Sequence, residues 1–354
     1  MTASGKILAV ETSCDETAVA VVENGRRIVA NVVASQVALH AATGGIVPEV
    51  AARAHLRWMI PVLEEAREQA GITDWSELEA VAVTEGPGLA GSLLVGITMA
   101  KTLAWVHDLP LVPVNHLEGH IYAAWLRDPR QDAGEAPQFP LVALVVSGGH
   151  TFLVEMPDHL TYRLLGNTVD DAAGEAFDKV GRLLDLPYPG GPSIQKAAEG
   201  ATRHDRAFPR AWLGDSYDFS FSGLKTAARR TVEATRAAIG LREPEEPLPH
   251  TEVAELAWGF QEAVVDVLAT KTARAAKAAG ARSIVLGGGV AANGVLRSRL
   301  ASEAEALGIP LIVPRPGLCT DNGAMIGAAG ARRFEAGERS GFDLEATPSL
   351  PLAR

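Results

Sequence analysis

The sequence predicts an α/β protein of two similar lobes, and three patterns predict it. An apolar strand, a small polar turn and a second apolar strand occur twice, at 7–22 and again at 141–155. A strand that enters a glycine-rich loop and then a helix also occurs twice, at 80–107 and 284–307. Val253, Leu256, Phe260, Val264 and Val267 recur at helical spacing, a stripe that reads as core. A duplicated hairpin and β-loop-α plan implies two α/β lobes around a cleft.

Taken in order, 7–10 is a strand, Glu11-Thr12-Ser13-Cys14-Asp15-Glu16-Thr17 a polar loop, and 18–22 a second strand ending at the Asn24-Gly25 turn. Residues 80–84 form a strand that meets the loop 85–92 and a helix at 93–107. A further strand at 109–114 leads into a helix beginning near Asn115. The second hairpin is 141–146, Ser147-Gly148-Gly149-His150, then 151–155. A long helix follows Thr251, a plausible N-cap, and stops at Gly280 before the strand 284–286, the triplet Gly287-Gly288-Gly289 and a helix at 292–307. The charge- and proline-rich segments 127–140 and 242–250 read as surface connections. The first is the expected boundary between an N-terminal lobe, 1–136, and a C-terminal lobe, 137–354, with the helix from about 321 able to pack back onto the first.

At 354 residues the chain is long for one core, and 47% hydrophobic with 21% charged residues is the balance of a soluble globular protein. The opening MTASGKILAVETS has no long apolar core of a signal peptide, and no apolar run reaches the length of a membrane span, so a cytoplasmic protein with no membrane partner is expected. Cys14 and Cys319 are the only cysteines and are expected to be reduced. A net charge of −11 argues against gripping nucleic acid by phosphate attraction alone. The stretch 196–236, with eight Lys/Arg against five Asp/Glu and including Arg203, Arg206, Arg210, Arg229 and Arg230, is either a solvated face or the best local surface for RNA.

The densest chemistry lies in Asn115-His116-Leu117-Glu118-Gly119-His120-Ile121-Tyr122. An α-helix turns ~100° per residue, so His116 and His120 share one face, one turn apart, where two imidazoles can hold a divalent metal, while Glu118 falls ~200° away. A zinc protease places its glutamate directly after the first histidine, so the peptidase reading weakens. Asp321, in Cys319-Thr320-Asp321-Asn322-Gly323, offers a carboxylate third ligand; the alternative is that Asp321 or Thr320 only caps its helix. Two imidazoles and a carboxylate with open positions suit iron(II) or zinc.

Three glycine loops, 85–92, 147–150 and 287–293, can bring backbone N–H groups close to a phosphate, and none has P-loop or dinucleotide spacing. The acidic run Asp170, Asp171, Glu175 and Asp178, followed by Tyr188-Pro189-Gly190-Gly191-Pro192, suits ribose hydroxyls or simply an acidic helix start.

With ETSCDET, GGIVPEVAARAH, EGPGLAGSLLVG, NHLEGH, VVSGGHT, DDAAGEAFDKV, YPGGP, FSFSGLKTA, GGGVAAN and CTDNGAMI in this order, the chain resembles, nearly end to end, the universal tRNA N6-adenosine threonylcarbamoyltransferase family. That family was formerly labelled sialoglycoprotein endopeptidase. Ala54 before His55 departs from its usual pattern, where a polar residue is commoner. The resemblance implies an actin/Hsp70/sugar-kinase-like (ASKHA) fold with the active site in the interlobe cleft. It implies metal ligands at His116, His120 and Asp321 and adenylate-binding positions at Val145, Val146, Ser147, Gly148, Gly149, Asp178, Gly191 and Asn293. The implied reaction moves a threonylcarbamoyl group from L-threonylcarbamoyladenylate to N6 of the adenosine 3′ of the anticodon in tRNAs reading ANN codons, releasing AMP. One divalent metal per chain is implied, Fe(2+) first and Zn(2+) second. Implied partners are tRNA, a smaller protein of the same fold (TsaB-type) and an ATPase (TsaE-type), with the donor made by a separate synthetase. Asp15 or Glu16, in the first hairpin loop, is the choice for steering the attacking amine or relaying its proton; a solvated loop carboxylate is the alternative. Other readings are a sugar kinase or small-molecule carbamoyltransferase of the same superfamily, or a non-catalytic nucleotide-dependent scaffold, against which the His/His/Asp set weighs.

Overall fold

A computed structural model describes residues 5–41, 45–127, 135–241 and 246–352. Residues 128–134 and 242–245, which hold much of the two expected surface connections, lie outside the described residues. The chain divides into two compact units: the first is Met1–Pro137 with Asp158–Tyr162 and Pro314–Arg354, and the second is Gln138–Pro157 with Arg163–Val313. The expected division assigned all of 137–354 to the second lobe apart from the helix near 321, so two further pieces cross to the first unit.

The first unit is built on a five-stranded sheet of order β3-β2-β1-β4-β5, with β1 Lys6–Glu11, β2 Glu16–Glu23, β3 Arg27–Ser35, β4 Ala80–Gly86 and β5 Leu111–Asn115. β2 runs antiparallel to β1 and β3, and β4 runs parallel to β1 and β5. β1, β2 and β4 are apolar nearly throughout and buried on both faces, as strands covered on two sides must be. The Asn24-Gly25 turn does not end the hairpin, because the chain continues into β3. Asn24 and Gly25 both take positive φ, 53° and 64°, which returns the chain as a tight hairpin. β3 is an edge strand of mixed exposure, so its apolar signal is diluted.

Helices α1 (Val37–Ala41), α2 (Pro48–Gln69) and α3 (Ala90–Val106) follow, with α2 and α3 covering one face of the sheet around Met59, Leu63, Leu93 and Ile97. Their outer side carries Leu56, 67% exposed, and Trp105, 72% exposed, with Ile60, Leu94 and Val106. The short helix α4 (His116–Tyr122) leaves β5 directly and is buried along its whole length.

In the second unit, β6 (Leu141–Val146), β7 (Thr151–Asp158), β8 (Thr161–Asn167), β9 (Ser283–Gly287) and β10 (Leu311–Ile312) form a sheet of order β10-β9-β6-β7-β8. β6 pairs antiparallel with β7 and parallel with β9, as β1 does with β2 and β4, so the duplication read from the sequence is present strand for strand. Helices α5 (Ala173–Leu183), α6 (Gly190–Ala198), α7 (Ser222–Ala238), α8 (His250–Ala278) and α9 (Gly294–Leu307) belong to this unit. α8 starts one residue before Thr251, with Pro249 rather than Thr251 at the cap, and Gly280 beyond its end takes φ +58°. A 3-10 turn over Gly289–Ala292 delays α9 to Gly294.

The chain then returns to the first unit as α10 (Pro316–Cys319) and α11 (Gly323–Glu335). α11 covers the other face of the first sheet and also packs on α4. Its small residues make this possible: a Cβ at Gly323 would stand 2.7 Å from the Ala20 backbone nitrogen, and one at Gly330 would stand 2.6 Å from Ala82 Cβ. Glu118 of α4 is fully buried and accepts two hydrogen bonds from Arg333 of α11, from Nε at 2.6 Å and Nη2 at 2.8 Å. It therefore locks two helices together and points away from the histidines. Arg333→Met leaves that carboxylate buried without its cation and is expected to cost about 3–5 kcal/mol of unfolding free energy in urea. Adding Glu118→Leu should restore most of the loss; a single variant as stable as the parent would show that the pair contributes nothing.

Candidate functional site

Asn115 ends β5 and caps α4 by accepting the Leu117 N–H at 2.9 Å, while its amide donates to Pro351 O at 2.9 Å. This sets the first turn of α4 rigidly and aims both histidines to one side. His116 Nε2 lies 3.6 Å and His120 Nε2 3.3 Å from Asp321 Oδ1, and one ligand atom from each of the three residues falls within 4.8 Å of the others. Asp321 stands just before α11, where the alternative was a capping role. That role falls to Asn322, whose Oδ1 accepts the Met325 N–H at 3.0 Å.

The donor set fits a divalent metal. Both ring nitrogens of His120 are buried without a hydrogen-bond partner of proper geometry, an arrangement that costs free energy unless a ligand meets them. His116 is oriented by a residue that the sequence reading passed over as merely the first of a polar loop. Glu11, fully buried at the end of β1, accepts from His116 Nδ1 at 3.1 Å, from Thr84 Oγ1 at 2.5 Å and from the Ser13 N–H. With Nδ1 bound to Glu11, the other nitrogen of His116 faces Asp321, the carboxylate–histidine arrangement common behind metal ligands. A carboxylate closing an otherwise apolar strand was the available signal. Burial pulls His116 toward its neutral form, but the negative charges of Asp321 and Glu11 outweigh it and raise the imidazole to about 9. Burial raises Glu11, and the charge and hydrogen bond of His116 overcome this to hold it below the usual carboxylate range.

Asp15 and Glu16 lie in the same unit, half-buried between β1 and the start of β2. Burial raises both, and the charge of Asp321 raises both further; Glu16 reaches about 8 although the Ser35 hydroxyl donates to its Oε1 at 2.8 Å. Glu16 Oε2 is buried with no hydrogen-bond partner.

The remaining predicted positions lie in the second unit. Val145 and Val146 are buried on β6, and Ser147 to His150 make a tight turn in which the Ser147 N–H donates to His150 O at 2.8 Å. A Cβ added at Gly148, Gly149 or Gly191 would meet nothing within 4 Å, so their faces are open to a ligand. The turn itself is held by close packing: Cβ atoms at Gly174 and Gly288 would stand 2.4 Å from Ser147 O and 2.3 Å from Val146 O. Asp178 Oδ1 accepts the Gly190 N–H at 2.7 Å, fixing the start of α6. Asn293 Oδ1 caps α9 through the Leu296 N–H and its Nδ2 donates to Gln261, both at 2.9 Å. Gln195, which the sequence reading did not single out, accepts the neighbouring Gly294 N–H at 2.8 Å.

Two expectations weaken. The first-unit glycine loop is filled by the protein's own chain, since a Cβ at Gly86 would stand 1.9 Å from Thr347 O and one at Gly88 2.6 Å from Ser13 O. In the basic stretch, Arg203 and Arg206 pair with Glu252 at 2.9 and 2.7 Å, and Arg210 pairs with Asp266 at 2.6 Å. The acidic side of α8 thus pairs with three of the eight basic side chains of this stretch.

A family model described as tRNA N6-adenosine threonylcarbamoyltransferase (TsaD) matches residues 27–328. A protein of that name from Thermomicrobium roseum is 57% identical, with 98% of this chain and 96% of the relative aligned. Another from Symbiobacterium thermophilum is 52% identical, with 98% and 97% aligned. Among solved structures, T. kodakarensis HypF superposes with a TM-score of 0.60 at 15% identity, over 95% of this chain and 49% of that one. That likeness concerns the fold alone and agrees with an actin-like α/β duplication. At this identity, sustained along almost the whole length, the chain belongs to the tRNA N6-adenosine threonylcarbamoyltransferase family.

Proposed function

We propose that the chain transfers the threonylcarbamoyl group of L-threonylcarbamoyladenylate to N6 of the adenosine 3′ of the anticodon in tRNAs reading ANN codons, releasing AMP. The observation that carries this reading is the His116/His120/Asp321 set, backed by buried Glu11, in a chain of this family. These three residues would hold one divalent metal, Fe(2+) by preference or Zn(2+), which supplies Lewis-acid polarisation of an acyl oxygen. In the second unit, the exposed turn at Gly148 and Gly149 takes the adenylate phosphate, and Ser147, whose N–H closes the turn onto His150 O, holds it in shape. Val145 and Val146 support the turn from β6, and Asp178, Gly191 and Asn293 complete the nucleotide-binding positions. Transfer forms an N6–carbonyl bond, breaks the carbonyl–phosphate oxygen bond and frees one proton from the amine. Glu16, poised near 8, or Asp15 is placed to steer that amine and accept the proton.

The chain works on tRNA in the cytoplasm with a smaller same-fold partner and an ATPase, and a separate synthetase supplies the adenylate. Three features support a need for helpers: the net charge of −11, the paired arginines of the basic stretch, and the apolar outer side of α2 and α3. Among the described residues no helix is long and apolar enough to cross a membrane.

Metal uptake by the metal-free protein must displace the proton that His116 holds up to about 9. Near pH 7 it should release about one proton from this site, with apparent affinity rising roughly tenfold per pH unit and levelling near 9. Titration in buffers of different ionisation enthalpy reads this directly, and pH-independent binding would contradict it. Asp321→Ala should lose metal, measured by elemental analysis, while remaining folded.

Gly148→Ala is expected to keep the parent's melting temperature, because an added Cβ meets no protein atom within 4 Å, while adenylate affinity falls by on the order of tenfold or more through steric exclusion of the phosphate. Unchanged affinity by calorimetry would remove the turn from the site.

The reaction itself is tested with labelled threonylcarbamoyladenylate and unmodified tRNA, with and without the two helper proteins. Label should enter RNA over many turnovers only in the full mixture. Sustained turnover by this chain alone would refute partner dependence, and no transfer in the full mixture would refute the transferase reading.

A further inference from the structure

The motif GGIVPEVAARAH supplies no metal ligand, yet its last residue, His55 on α2, is fully buried beside the loop that joins β1 to β2. His55 Nε2 lies 2.9 Å from Cys14 O, and Nδ1 lies 2.7 Å from Thr17 Oγ1. A carbonyl can only accept, so Nε2 carries the proton and Nδ1 accepts from the Thr17 hydroxyl. One ring therefore holds the residues on either side of Asp15 and Glu16. The same assignment runs on without conflict: the Val47 N–H donates to His40 Nδ1, His40 Nε2 donates to Gln36 Oε1, and Gln36 Nε2 reaches His55 Nδ1 at 3.5 Å. Gln36 also donates its backbone N–H to Asp15 O at 3.0 Å. The Thr17 hydroxyl, at the shorter distance, takes the lone pair of His55 Nδ1, and Gln36 Nε2 also finds an acceptor in Ala51 O at 3.4 Å.

We propose that His55 is a positioning residue for the transfer, pinning Cys14 and Thr17 so that the Asp15–Glu16 pair is held at the depth and angle the reaction needs. The inference rests on the reading that one of those carboxylates handles the attacking amine. Asp15 lies between β1 and β2, Glu16 is the end residue of β2 opposite Ser35, and Glu16 Oε2 has no hydrogen-bond partner, so the aim of the pair depends on how this end of the strand is anchored.

The test uses the full chain with its helper proteins, tRNA and the adenylate donor. His55→Ala should lower kcat by on the order of 10²-fold through misplacement, with KM for the donor and bound metal unchanged. His55→Gln should recover much of the loss, because an amide can donate to Cys14 O and accept from Thr17. Thr17→Val, which keeps the strand-favouring shape, should give a smaller loss of kcat and serves if His55→Ala fails to fold. Nitrogen chemical shifts of His55 in the parent should report the Nε2–H tautomer. Parental kcat in both His55→Ala and Thr17→Val, no recovery in His55→Gln, or an Nδ1–H tautomer would overturn the proposal. Asp15→Asn and Glu16→Gln are assayed alongside: if both keep parental kcat the underlying reading fails, whereas if either is impaired while the His55 and Thr17 variants are not, only the pin fails.

Discussion

The close seating of α11 on the first sheet is the constraint on which the site depends. Nine consecutive residues of this helix, Gly323 to Ala331, are buried, so sheet and helix surround it on nearly every side. Only glycine and alanine along its inner face let the backbone come this near to Ala20 and Ala82. A side chain in those positions would lift the helix, and Asp321, which precedes its first turn, would move with it. The Glu118–Arg333 pair fixes the same helix from the α4 side. The position of one carboxylate relative to two imidazoles is thus set by packing that extends far beyond the three residues. Interiors of this density do not deform gradually, which makes such a site exacting to build and hard to loosen.

Much of this was legible in the chain. The buried strands announced themselves by unbroken apolar runs, and the i,i+4 histidines announced a shared helical face because helix geometry leaves little freedom once the helix exists. What was hidden was non-local. Glu11 reads as a loop residue until β1 and α4 are brought together across more than a hundred positions. The choice between Asp321 and its neighbours as cap was settled by Asn322, a difference of one residue that spacing alone does not decide. The edge strand β3 escaped notice because half-exposed strands dilute the alternation that reveals them. The arginines of 196–236 looked like a free basic surface because their partners, Glu252 and Asp266, lie on a helix much later in sequence.

The two units use glycine in opposite ways. In the first, Gly86 and Gly88 let the chain fold against itself, and their loop is occupied by Thr347 and Ser13. In the second, Gly174 and Gly288 are packed tightly from behind while Gly148 and Gly149 are left bare in front. A rigid back and an open front are what a backbone-amide anion site requires, since the amides must be pre-aimed and nothing of the protein may stand before them. In both strand–loop–helix copies a glycine packs closely on the neighbouring hairpin, Gly88 on Ser13 and Gly288 on Val146, and the open turn at Gly148 and Gly149 belongs to the second hairpin itself.

The division of the chain also fixes an order of events during synthesis. The second unit is complete in sequence once Val313 has emerged, but the first unit still lacks 314–354. A ribosome therefore releases β1 to β5, with His116 and His120 already in place along the chain, long before α11 and Asp321 exist to cover the sheet. Until then one face of that sheet is bare, and the histidine pair has no third donor. Because domains fold as units while the chain grows, the N-terminal half must wait, partly assembled, for its last helix. A site that needs all three side chains is thereby completed only at the final closure of the fold.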